Sequence, residues 1–99
     1  MKTGFGKKII ATTTPQTIVL NENNDGWYAN RVDIINLSGS ELLVYPNVDS
    51  SVWGEVSSMA IIVPNGYAQT FVGDGRPPLF KVSLVTSSQG SGTVVINAF

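Results

Sequence analysis

The side chains that most often carry chemistry are missing from this sequence. It contains no histidine and no cysteine. That removes the commonest general base, the Ser-His-Asp arrangement, thiolate nucleophiles and most zinc sites. The acids left for catalysis are Glu22, Asp25, Asp33, Glu41, Asp49, Glu55 and Asp74. Two carboxylates can work as an acid–base pair. These lie mostly in turn-forming sequence, whereas catalytic acids need burial or charged neighbours to be tuned. The expectation is a protein with no catalytic residue, not an enzyme.

Ligand-holding patterns fail in the same way. Asn21-Glu22-Asn23-Asn24-Asp25-Gly26 opens like a calcium loop, with oxygen ligands at alternate positions followed by glycine. Its first position is Asn, however, and its twelfth, Val32, cannot supply the bidentate carboxylate. Gly73-Asp74-Gly75 reads as a turn, since no Gly-Lys-Ser/Thr follows to cradle phosphate. No metal and no cofactor is expected.

What remains is chemistry of contact. Nine aromatic residues suffice to build a core. Trp53 stands apart, next to Val52 in the Ser- and Gly-rich stretch Asn47–Ser58. A tryptophan so placed serves as an interface anchor, as a plug in the core or as a stacking platform for sugar, with Tyr28 and Tyr67 as further platforms. Lys2, Lys7 and Lys8 supply three of the six cations within the first eight residues, leaving the rest of the chain acidic. They form either a solvated start or a basic arm for an acidic neighbour. The candidate interface residues are Lys2, Phe5, Lys7, Lys8, Val52, Trp53 and Phe99.

The composition limits the partners. At 99 residues the chain makes one domain with a single thin core. Its net charge of −1 argues against nucleic acid, which needs a basic face to displace counterions. Charged residues make up 13%, about half the usual share. So sparse a charge suggests a surface partly covered by other proteins. No apolar run is long enough to span a membrane, and Ile9-Ile10-Ala11 is too short for a signal peptide core. The lack of cysteine agrees with folding in a reducing cytoplasm or with support from a neighbour.

The elements that must position these residues are all strands. Asn30–Pro46 carries the strongest hairpin signal: apolar runs Val32–Leu37 and Leu42–Tyr45 flank Ser38-Gly39-Ser40, whose glycine allows a positive φ. The Ile34-Ile35 doublet predicts a bulge or a strand covered on both faces. Further strands are predicted at 7–14, 17–20, 27–37, 80–85 and 93–99. Met59–Val63, apolar throughout, is expected to be buried and to form a second hairpin with Tyr67–Val72 through the turn Pro64-Asn65-Gly66. About eight short strands and no helical repeat predict a small antiparallel β-sandwich or jelly roll over residues 7–99, preceded by a flexible arm over 1–6. Exposed sheet edges in so short a sandwich need cover, which predicts a homo-oligomer or lattice neighbours.

Ile34-Ile35-Asn36-Leu37-Ser38-Gly39, Leu42–Tyr45, Ile61-Ile62-Val63-Pro64-Asn65-Gly66, Phe71, Phe80–Leu84 and Thr93–Ile96 together form a pattern. A strand ends in Asn-x-Ser-Gly, a short strand returns, and an apolar strand with a Pro/Gly turn precedes an aromatic and two closing strands. The pattern resembles that of short accessory proteins of tailed bacteriophage virions. The resemblance spans Arg31–Val44 and Ala60–Phe99, while Asn47–Ser58 is an insertion relative to shorter versions. It implies a β-sandwich without an active site, assembled in the bacterial cytoplasm and located in the virion. The expected role is capsid decoration (cement), touching capsid or other virion proteins, with no nucleic acid and no membrane. The alternative is a carbohydrate- or receptor-binding module of a tail tip or fibre.

Overall fold

The structure, a computed structural model, describes residues 4–20, 29–72, 79, 81–88 and 92–99. It contains eight strands: β1 (Phe5–Ile9), β2 (Gln16–Val19), β3 (Arg31–Leu37), β4 (Leu42–Pro46), β5 (Ile61–Val63), β6 (Ala68–Val72), β7 (Lys81–Thr86) and β8 (Thr93–Ala98). They form two four-stranded sheets, in the orders β1-β8-β3-β6 and β2-β7-β4-β5. Every pairing is antiparallel. Two interlocked sheets in these orders make the eight-stranded jelly roll, a form of β-sandwich.

The core follows from alternation along each strand. Val32 and Ile34 of β3, Val94, Ile96 and Ala98 of β8, Leu42 and Val44 of β4, and Val82 and Leu84 of β7 are fully buried between the sheets. Phe5, Ile9 and Phe71 close its margin. β1 begins at Phe5, opposite Ala98, two residues before the expected start at Lys7. The Ile34-Ile35 doublet is not a bulge: β3 meets β8 residue for residue from Val32↔Ala98 to Leu37↔Thr93. Ile34 points inward, and Ile35 is half-buried on the outer face beside Val95 and Ala68.

Two expected hairpins are corrected. β3 and β4 lie in different sheets, so Ser38-Gly39-Ser40 is an arch across the sandwich and not a hairpin turn. β5 and β6 are divided in the same way, with β5 on β4 and β6 on β3. The local turn chemistry is as expected, with φ of 93° at Gly39 and 86° at Gly66. Turn residues mark a reversal, but which sheet the next strand joins depends on distant partners. Within the order of the strands, only β4 and β5 are consecutive and in the same sheet.

The burial expected of Met59–Val63 is corrected as well. Val63 is buried, but Met59, Ile61 and Ile62 are 56%, 39% and 54% exposed. The reason is position: β5 is the edge of its sheet, and no strand lies beyond it among the described residues.

Candidate interaction surface

The Ser- and Gly-rich stretch Asn47–Ser58 folds, with Met59, as short helical turns at Ser50–Val52, Trp53–Val56 (α1) and Ser57–Met59. Asp49 starts this run, its side chain accepting a hydrogen bond from the Ser51 amide at 3.0 Å. That backbone bond, helped by the Ser51 side chain and by the field of Lys81, holds the Asp49 carboxyl below its ordinary range against a small opposing effect of burial. The run lies over the outer face of the β2-β7-β4-β5 sheet. The Ser83 hydroxyl donates to the Val48 carbonyl at 2.5 Å, and the Ser50 amide donates to Thr17 Oγ1 at 2.7 Å. Ser83 and Val85 are buried beneath it although they face away from the core.

Among the described residues, the expected interface residues fall in two places: the helical run, and the β1–β8 pair, where Phe5 lies opposite Ala98 and so beside Phe99. Val52 and Trp53, both half-buried, sit on the helical run. Phe5, Lys7 and Lys8 lie on β1, at the edge of the other sheet, where Phe5 packs on the core and both lysines are exposed. Phe99 is 53% exposed, with the Arg31 guanidinium 4.8 Å from its ring centre. Its carbonyl accepts from the Asn30 and Arg31 amides. Tyr67, 66% exposed, follows the β5–β6 turn, far in sequence from Trp53. Lys2, Tyr28, the stretch Asn21–Gly26 and Gly73-Asp74-Gly75 lie outside the described residues.

Among the described residues the acids do not assemble a site either. Asp33 accepts from Arg31 at 3.0 Å and from Thr70 Oγ1 at 2.8 Å, and Asp49 caps a helical turn. Among the described residues no group of three or more metal-ligating side chains occurs, and no helix is long and apolar enough to cross a membrane.

The strongest surface feature is the flank bounded by β5 and β6. Nine large apolar residues are exposed among those described, and Met59, Ile61, Ile62, Tyr67 and Val72 belong to this flank. Between the two sheets an open apolar cleft of ≈ 540 Å³ is lined by Tyr45, Met59, Ile61, Phe71, Val72 and Leu79, with others. Exposed apolar residues bordering an open apolar cleft mark an interaction site more often than a bare exterior. Sequence reasoning missed it by treating Met59–Val63 as a buried strand in a hairpin with Tyr67–Val72. The available signal was charge: no charged residue stands between Glu55 and Asp74.

No family model and no curated protein matches the chain. Among solved structures it is similar to a chain from Bacillus endospore appendages, which form a novel family of disulfide-linked pili. The TM-score is 0.53 at 15% identity, over 97% of this chain and 84% of that one. It is also similar to the Drosophila NLP core, whose structure bears on pentamer formation and histone binding, with a TM-score of 0.41 at 14% identity, over 97% and 92%. At 15% identity the likeness to the appendage chain is one of fold.

Proposed function

We propose that this protein is a structural subunit that acts through protein–protein contacts and catalyses no reaction. The observation that carries this reading is the β5–β6 flank, where uncharged, exposed apolar residues border an open cleft. Such a surface gains free energy by being covered, at roughly 25 cal/mol per Å² of apolar area removed from water. The appendage chain is an example of this fold in an assembly; without cysteine, the present chain would assemble without disulfide links of its own.

The assembly we assign is a tailed-bacteriophage virion, with the chain decorating the head shell as a cement protein. This finer reading rests on the resemblance carried by Asn36-Leu37-Ser38-Gly39 and the strands after it. Many copies, each adding modest energy, would stabilise a shell by multivalency. Purified protein is expected to bind expanded phage capsids and raise their melting temperature. Failure to bind any virion particle would discard the decoration role.

A further inference from the structure

We propose that β6 pairs antiparallel with the β6 of a second copy, about a two-fold axis at Thr70, joining two four-stranded sheets into one of eight. This rests on the contact reading above and names the partner and the edge. The argument compares the outer edges of the two sheets. Unpaired strand edges invite further pairing, and proteins discourage it with charge, proline or brevity.

Three of the four edges carry such devices. β1 carries Lys7 and Lys8. Lys7 is in register with the buried Ile96, on the core side of the sheet, so an added strand would close over a charged group. A two-fold pairing of β1 would also set Lys7 against its twin, and like charges directly opposite destabilise a sheet. β2 has only four residues, directly after Pro15, and β5 has only three. β6, Ala68-Gln69-Thr70-Phe71-Val72, has neither charge, proline nor glycine. Its register with β3 is unbroken from Ile35↔Ala68 to Arg31↔Val72, so it presents a regular edge.

The self-pairing opposes no like charges within β6, and it requires the Gln69 side chain, which donates to the Thr70 carbonyl at 3.1 Å, to yield that carbonyl to the added strand. Centred on Thr70, it sets Ala68 opposite Val72, Gln69 opposite Phe71 and Thr70 opposite its twin. Among the described residues the charge nearest the axis, Asp33, lies one strand inward beside Thr70 and is held by Arg31 at 3.0 Å. Three strand spacings, about 14 Å, separate it from its twin, beyond a Debye length of about 8 Å at physiological salt. Rotation about an axis normal to the sheet keeps inner faces aligned. The interface is isologous, with the two clefts, each beside Phe71 and Val72, toward opposite ends of the strand pair.

Native mass spectrometry and light scattering on the full chain test this, with three variants. The wild type is expected to show a concentration-dependent dimer. Thr70→Lys is expected to raise its dissociation constant at least about tenfold while near-ultraviolet circular dichroism stays native. Thr70→Cys, in a chain otherwise free of cysteine, is expected to oxidise to a cross-linked dimer much faster than Lys8→Cys on β1. The cross-linking test stands even if Thr70→Lys does not fold. A wild-type oligomer that Thr70→Lys leaves intact, or equal cross-linking at positions 70 and 8, would overturn the assignment of the edge and leave the contact reading standing. A wild type that stays monomeric up to about 1 mM would also overturn it; if that monomer bound no virion particle, the decoration reading would fall too.

Discussion

Asn36 donates a hydrogen bond from Nδ2 to the carbonyl of Val63 at 2.8 Å, joining β3 to β5 across the sandwich. The same amide donates to the Ser40 carbonyl, and its oxygen accepts from the Ser38 amide and hydroxyl. The Asn36 backbone accepts from Gly66 and donates to the Tyr67 carbonyl. One fully buried asparagine therefore holds the β3–β4 arch and the β5–β6 turn together. This gives the Asn-x-Ser-Gly sequence a physical reason: the asparagine latches, the serine fills the arch, and the glycine supplies the positive φ.

Asn36→Ala is therefore expected to destabilise the fold by roughly 2–4 kcal/mol, since buried groups left without partners cost about 1–3 kcal/mol each. Urea denaturation measures the loss. Hydrogen exchange should show it at the Gly66 and Tyr67 amides as well as in the arch. A change below about 0.5 kcal/mol, the size of an ordinary surface substitution, would refute the latch.

Gly92 and Gly54 should respond in opposite directions to alanine. A Cβ on Gly92 would lie 1.9 Å from the Leu37 carbonyl oxygen, and the Gly92 amide donates to Ser38 at the same crossing. Gly92→Ala is expected to cost at least about 3 kcal/mol, the upper range for overpacking. Nothing lies within 4 Å of a Cβ on Gly54, in α1. Gly54→Ala should gain about 0.5–1 kcal/mol from reduced backbone freedom. Thermal melts of both variants against the wild type check the pair.

The Asp49 cap predicts a small acid sensitivity. Its folded pKa is depressed, chiefly by the Ser51 amide. Its contribution is thus present above the unfolded-state value of about 4 and is lost as pH falls through the lower folded value. Asp49→Asn keeps an acceptor for Ser51 but does not titrate, so its stability relative to wild type should rise as the solution is acidified below about pH 4. Denaturation across pH 2–6 reads this; parallel curves for the two proteins would contradict the cap.

The Arg31–Asp33 pair is half-exposed and should contribute little. With the ring of Phe99 included, Arg31→Ala is expected to cost no more than about 1.5 kcal/mol. The difference should shrink as salt is raised, because exposed pairs are screened. A salt-independent loss above about 3 kcal/mol would show that Arg31 is doing something other than pairing at the surface.

The short β-branched and apolar runs at 32–37, 42–45, 82–85 and 93–98, separated by turn residues, are sufficient by themselves to identify strands and an all-β class. The glycine positions of both turns and the absence of histidine and cysteine are equally plain in the chain. The partner of each strand is not, because hairpin and arch share one local signature and differ only in long-range bonds such as Asn36 to Val63. Nor does the sequence tell a buried strand from an edge strand: Ile61-Ile62-Val63 reads as core, yet its place at the margin of a sheet exposes two of the three residues. Tertiary structure alone decided that the strands of a long uncharged stretch would lie at sheet margins with large apolar side chains exposed, since burial depends on what lies beside a strand and not on its own residues.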